Sequence, residues 1–384
     1  MLSGKVWPIH PSPAEDELLS SWLTRIARLN YTKLHTLVSI AFPNTAIWNR
    51  DIDRSASSVF LRQLAARSGK DLHQVRQTTL NTFAYSLGSS IRGRGNDRWI
   101  MSAGIYHRTR KQPWLGYCPL CLAEDLDPYF RRRWRLAFYT VCHRHSVLLL
   151  DRCSQCQSVI QFFRHDLGDR NKPAPLTLNL CFHCQFDLSR APAYGDAWSD
   201  WRVQQDMSVL GGLFDLGYLS NFTGEFQYNY LYLDVLHQLA RCLASRLGQP
   251  LWQISRQMAH LPAHNIPAQF RYIEQMDITT RHELVTTAIW LLHEWPSRLL
   301  HACTQTHIKS STLFRDWPQA PYWFASAIFP KLYSPNQHIS LEEISEAIAY
   351  CHRHYIPVNT VQVAKVLGLN SSKRIRGFLR HLNL

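Results

Sequence analysis

Cys118-Pro119-Leu120-Cys121, Cys142-His143-Arg144-His145, Cys153-Ser154-Gln155-Cys156 and Cys181-Phe182-His183-Cys184 place eight soft metal ligands in one stretch, with two residues inside every pair. That gap lets a tight knuckle turn point both ligands at one ion, and two knuckles close a tetrahedral structural zinc site, so four knuckles predict two Zn2+ per chain. Twenty residues separate the first two knuckles, seven the second from the third, and twenty-four the third from the fourth. Sequential sharing puts Cys118, Cys121, Cys142 and His145 on one ion, and Cys153, Cys156, Cys181 and Cys184 on the other. A cross-braced arrangement, joining the first and third knuckles, fits the spacing as well. His143 and His183 are competing ligands, and His145 is preferred because it completes the two-residue gap. Both sets of four are full, whereas a catalytic zinc keeps an open position, so the metals read as structural. His282-Glu283 and His293-Glu294 do not extend into H-E-x-x-H, the deaminase-like H-x-E signature is absent, and no G-x-x-x-x-G-K-[ST] phosphate loop occurs. The expectation is a protein that is not an enzyme.

The chain has 384 residues, 46% of them hydrophobic, enough for two or three domains with substantial cores. Forty-two Lys+Arg against 28 Asp+Glu give a formal charge of +14, a balance suited to polyanionic partners such as DNA or RNA. The first residues lack an apolar core followed by a small-residue cleavage site, so a cytoplasmic location is expected, where C-x-x-C pairs bind metal rather than form disulfides. Apolar stretches such as 284–292 are too short to span a bilayer, and no membrane role is expected.

The rest of the chain reads as helices around this block: mainly α, with small zinc-ribbon β elements. Leu18, Leu19, Trp22, Leu23, Ile26 and Ala27 predict an amphipathic helix to about Leu29, with Glu15, Asp16 and Glu17 at its start, and 34–42 predicts a second. From Val59 to Leu80, two amphipathic runs broken at Gly69 outline a helix-turn-helix or an ordinary helical hairpin. Next, Arg92, Arg94, Arg98, Arg108, Arg110 and Lys111 lie on a Gly-bearing segment with Trp99 and Tyr106, either a track for a phosphate backbone or a solvated linker. Arg131, Arg132, Arg133 and Arg135 alternate with aromatic residues, predicting a strand against the metal with one positive side. Beyond Pro192 come helical stripes that include Trp198, Trp201 and Leu233 to Leu243, with Cys242, Cys303 and Cys351 as small buried hydrophobes. A basic helix-turn-helix near 356–382 carries Lys373, Arg374, Arg376 and Arg380. The expected domains are 1–113 (helical, helix-turn-helix-like), 114–192 (double zinc module) and 193–384 (helical).

Pro13 to Ser21 followed by Arg25, Ile26 and Ala27, then Tyr117-Cys118-Pro119-x-Cys121-Leu122, Trp134, and Cys142-His143-x-His145 leading to Leu148 and Leu149, resemble the TniQ family, relatives of the target selector TnsD. The resemblance covers the first half of the chain well. It implies a non-catalytic transposition adaptor that carries its zinc on the eight ligands named above. Such an adaptor marks a target, either attachment-site DNA or an RNA-guided Cascade complex at its guide-processing ribonuclease subunit, and recruits a TnsC-like AAA+ ATPase and thereby the transposase. CRISPR-associated members act as a homodimer. The different reading is a stand-alone zinc-containing regulator that binds specific DNA through its helix-turn-helix segments.

Overall fold

The computed structural model describes residues 6–43, 51–93, 95–103, 112–165, 175–195, 202–207, 210, 218–219, 227–263, 266, 272–332 and 340–369. The chain divides into two compact units, 1–333 and 334–384.

In the first unit, α1 (Leu19–Leu29) buries Leu19, Trp22, Leu23 and Ile26, the positions three and four apart that the sequence marks. They pack with α2 (Leu34–Ala41), α3 (Ile52–Ser55) and α4 (Ser58–Ser68) into an N-terminal core that includes Trp7, Phe42, Phe60 and Leu64. Ser57 caps α4 by accepting the Phe60 N–H, and Gly69 ends it at φ 62°, a conformation that costs glycine little. The second apolar run is shorter than expected. After a capping box of Asp71 and Gln74, α5 covers only Leu72–Arg76, and the chain continues as a 3-10 turn at Leu80–Phe83.

The acidic residues before α1 also differ from expectation. The helix has no acid in its first turn; instead Glu17 is buried against Arg25 at 2.7 Å, and Asp16 holds Arg132 and Arg133. A buried carboxylate gains more from a bidentate guanidinium than from a helix end.

A second core runs from Leu18 and Leu80 through the knuckle cysteines to Ile328. Its helices are α6 (Pro119–Glu124), α7 (Asn229–Ala244), α8 (Gln249–Met258), α9 (Ile278–Leu292), α10 (Ser297–Gln305), α11 (Ser310–Leu313) and α12 (Tyr322–Leu332). Leu233, Leu236, Leu239, Ala240 and Leu243 of α7 are buried, as their periodicity predicts, and so are Cys242 and Cys303. The strands in regular pairing among the described residues are β1 (Tyr218–Leu219) and β2 (Gln227–Tyr228), antiparallel with Tyr218 opposite Tyr228. Mainly helical architecture with few strands is therefore what the chain forms. Among the described residues no helix is long and apolar enough to cross a membrane.

Among the described residues, the second unit contains a helical pair, α13 (Leu341–Arg353) and α14 (Thr360–Val366), around Ile344, Ala347, Cys351, Val363 and Ala364. Ser340 and Glu343 form a capping box on α13, Asn359 caps α14, and Gly368 follows at φ 67°. The expected recognition helix with Lys373, Arg374, Arg376 and Arg380 lies outside the described residues, as do Trp198 and Trp201.

Candidate metal centre

Cys118 stands at the N-cap of α6, with Pro119 at the first helical position, and its Sγ accepts the Cys121 N–H at 3.5 Å. One helical turn therefore aims both sulfurs the same way. The other three knuckles share a different build. Val141 pairs with Leu148, Arg152 with Val159 and Leu180 with Asp187, so each knuckle is the tip of a minimal hairpin bracketed at the same two positions. Cys142, Cys153 and Cys181 each accept at their carbonyl from Ser146, Gln157 and Gln185 respectively, at 2.8 to 3.0 Å. Those three residues, each immediately after the second ligand, have φ of 52°, 59° and 65°. The left-handed step turns the chain back so that both ligands face inward.

The knuckles assemble sequentially. Cys118, Cys121, Cys142 and His145 gather as one group and Cys153, Cys156, Cys181 and Cys184 as the other, with the ligand atoms of each group within 4.8 Å of one another. In the first, Cys121 Sγ lies 3.6 Å from Cys142 Sγ and 3.4 Å from His145 Nδ1. In the second, Cys153 to Cys184 and Cys156 to Cys181 are each 3.6 Å between sulfurs. With metal–sulfur bonds near 2.3 Å, the edge of a tetrahedral ligand set is about 3.7 Å, so both groups have the donors and spacing that suit zinc. Among the first ligands, hydrogen bonds from Cys118 and Cys121 hold the Cys142 thiol well below its ordinary range. In the second group, burial opposes ionisation of Cys156, but the Ser158 hydroxyl and the neighbouring thiols hold it at about 6. Thiolates are the form that binds metal, and in each group the charge on one sulfur is matched by neighbours pushed up, Cys118 to about 11 beside Cys142 and the buried Cys153 and Cys181 upward beside Cys156.

Outside the ligands, one residue stands out that the sequence reading missed. Glu124 Oε1 lies 2.9 Å from His145 Nε2, the ring nitrogen facing away from the cluster. A carboxylate there fixes the tautomer that leaves Nδ1 as the ligand. Its signal in the sequence was position: Glu124 follows Cys121 by three residues, one turn along α6. The competing histidines are elsewhere: His143 contacts the Tyr139 hydroxyl at 2.5 Å, and His183 is exposed.

The arginines beside the first group require a correction. Residues 132–135 form a 3-10 turn, not a strand; Trp134 O accepts from Gly116 N–H and Arg135 O from Met101 N–H, so neighbouring carbonyls serve two different segments instead of one ladder. Arg131 is buried on Asp125 at 2.7 Å, with Tyr129 and Trp134 under its guanidinium. Arg132 and Arg133 grip Asp16 at 3.1 and 2.6 Å. Arg135, wholly buried, pairs with Asp51 and, at 2.8 Å, with Asp53. On the opposite side, Asp151 accepts the Ile278 N–H at 2.7 Å and lies 3.7 Å from Arg281, whose guanidinium donates to Ala137 O at 3.0 Å. Tyr117 links the two groups, exchanging backbone bonds with Leu150 and donating its hydroxyl to Arg152 O at 3.2 Å. The cysteine block is thus bonded to the N-terminal helices by arginine and to the C-terminal helices through Asp151.

Of the remaining basic candidates, Arg92 is exposed and Arg98 pairs with Asp234. Arg94, Arg108, Arg110 and Lys111 lie outside the described residues.

A helical protein with two zinc-ribbon-like modules is the class that this architecture defines. Residues 8–149 match the family model TniQ, so the chain carries a TniQ domain over that stretch, which ties it to transposition target selection. The match encloses the first ligand group whole and stops before Cys153. No curated protein matches the chain.

Proposed function

We propose that the chain is a non-catalytic adaptor in transposition target selection. It connects a target-recognition assembly, an RNA-guided Cascade complex or attachment-site DNA, to a TnsC-like AAA+ ATPase and through it to the transposase. The observation that carries this reading is the TniQ match enclosing a complete ligand group. Zinc, two ions per chain, supplies cross-links between knuckles and takes no part in a reaction. The protein's own residues do the rest: Glu124 orients His145, and the arginine and Asp151 bonds hold the block so that its outer surfaces keep one geometry.

The operator-reading alternative has less support from the first of its two helix-turn-helix segments. α5 has five residues, less than two turns, which is short for a helix that reads a groove. Co-purification of the tagged, zinc-loaded chain with a TnsC-like ATPase and with Cascade tests the proposal. Saturable retention of the ATPase is expected. Retention of neither partner, together with tight sequence-specific duplex binding by the chain alone, would replace it with the regulator.

A further inference from the structure

Helix α7 (Asn229–Ala244) buries its leucines and leaves Tyr230, Asp234, His237 and Arg241 as the stripe not fully buried, spaced by four, three and four residues. At 1.5 Å per residue the stripe is about 16 Å long. Its N-terminal end carries an aromatic platform: the Tyr228 and Tyr230 rings stack at 5.9 Å with planes 20° apart, and are 60% and 39% exposed. The platform rests on Gly88, where a Cβ would come within 2.7 Å of Tyr230 Cβ, so only glycine lets the rings settle there.

Along the stripe, arginines arrive from three segments of the chain: Arg98 from the basic Gly-bearing stretch, Arg241 from α7 itself, and Arg315 from the turn after α11. All three line one cavity of about 510 Å³, together with His237, Glu274 and Tyr272. That volume lies within the roughly 300–1,000 Å³ typical of ligand pockets. Each of the first two arginines is positioned without being consumed by its partner. Asp234 pairs with Arg98 but also receives the Trp317 Nε1–H at 2.8 Å, so it keeps one hydrogen bond and some contact with water when the half-exposed Arg98 turns to another anion. Arg241 donates to the Arg315 carbonyl at 2.8 Å, while its contact with the exposed Asp316 is a loose 3.6 Å.

We infer that this face of α7 binds single-stranded nucleic acid, with a base stacked on the Tyr228–Tyr230 platform, phosphates on Arg98, Arg241 and Arg315, and one nucleotide turned into the cavity. Stacking surfaces beside a line of cations are what an unpaired strand requires, and a duplex offers no base face to the platform and cannot enter a hollow of this size. The stripe's length suits about three nucleotides at roughly 6 Å each. The site lies apart from the metal ligands, and the inference does not depend on the adaptor reading.

The test uses the full zinc-loaded chain and fluorescence anisotropy with labelled single strands of about twelve nucleotides, oligo(U) and oligo(dT), alongside a duplex of equal length. We expect a single strand to bind more tightly than the duplex. Arg241→Ala with Arg315→Ala should weaken it by about tenfold and lower the slope of log K against log salt by about 1.4, the value for two lost phosphate contacts. The two strands distinguish RNA from DNA as the natural ligand. Unchanged affinity in the double variant, a preference for duplex, or displacement of the strand by an acidic peptide at lower concentration than by unlabelled oligonucleotide would overturn the inference. Should the variant misfold, ultraviolet cross-linking of 4-thiouridine RNA to the unaltered chain decides it. Adducts at Tyr228 or Tyr230 support the site, and adducts confined to other segments refute it.

Discussion

Glu124 is half-exposed and binds no metal in its own right, yet it touches the one nitrogen that determines how His145 presents the other. Replacing it with glutamine keeps the shape and removes the charge that makes the imidazole a better donor. Glu124→Gln should lower zinc affinity of one of two ions by about 10- to 100-fold and leave the other unchanged, a split that competition with a chromogenic chelator resolves as two classes of site. Equal loss at both sites would mean that Glu124 acts through general stability. Arg135 is the opposite kind of residue, fully buried and bonded to Met101 O, Asp51 and Asp53 rather than to a ligand. Removing one partner of a buried ion pair leaves the others charged without compensation, and Arg135→Met should cost about 3–5 kcal/mol in urea unfolding. Burial pushes Asp53 up to about 7, against the opposing charge of Arg135. An acid whose folded value is raised contributes stability below its unfolded value of 3.8, and that contribution is lost as pH rises through the folded value. Arg135→Met raises it further, so the variant should lose more stability than the parent between about pH 5 and pH 8. A parallel decline in both proteins would show that Asp53 is not the group involved.

At the scale of elements, the hairpin knuckle recurs three times with one local constraint, a left-handed residue after the second ligand. Ser146, Gln157 and Gln185 hold that conformation although their side chains disfavour it. Gln157 is exposed, its side chain bonds only locally to Ser154 O at 3.3 Å, and glycine adopts its φ at little cost. Gln157→Gly should therefore raise stability by about 0.5–1 kcal/mol, and Gln157→Val should lower it, as thermal midpoints of the zinc-loaded protein will register. A fall with glycine would mean that the turn is not strained. The same elements mark what was legible beforehand. Ligand pairs are local, made of rare residue types at fixed spacing, so Cys118 through Cys184 could be found, whereas the choice between sequential and cross-braced grouping was settled only by the fold. The helix stripes of α1 and α7 were legible for a similar reason, since apolar periodicity is a local property. The arginine run was not. Arg135 meets Asp51 and Asp53 more than eighty residues away, and Arg132 meets Asp16 across more than a hundred. A run of basic residues in sequence carries no mark of whether its partners are solvent, nucleic acid or distant carboxylates. Only the fold brings those carboxylates in.

For the whole molecule, the decisive fact is that the knuckle cysteines are part of the large core rather than a satellite of it. Cys118, Cys121, Cys142, Cys153 and Cys181 pack in the same cluster as Leu236 of α7 and Leu284 of α9. Structural zinc sites bind with an apparent 10–16 kcal/mol or so in isolated peptides, as much as the roughly 5–15 kcal/mol that stabilises an entire domain. Metal removal from a block so placed should not stop at the knuckles. Without the cross-links, the hairpin tips lose what holds their left-handed turns, Asp151 loses its fixed distance from Ile278 and Arg281, and the core that α9 shares with the block opens. Chelation near neutral pH, followed by hydrogen exchange, should therefore abolish amide protection in the cysteine block and also in α7 and α9. Helix α13, in a unit with a core of its own around Ile344 and Cys351, should keep its protection. Loss confined to the block would mean that α7 and α9 are stable by themselves and that zinc serves only local order. Loss extending to α13 would mean that the second unit depends on the first, contrary to its separate core.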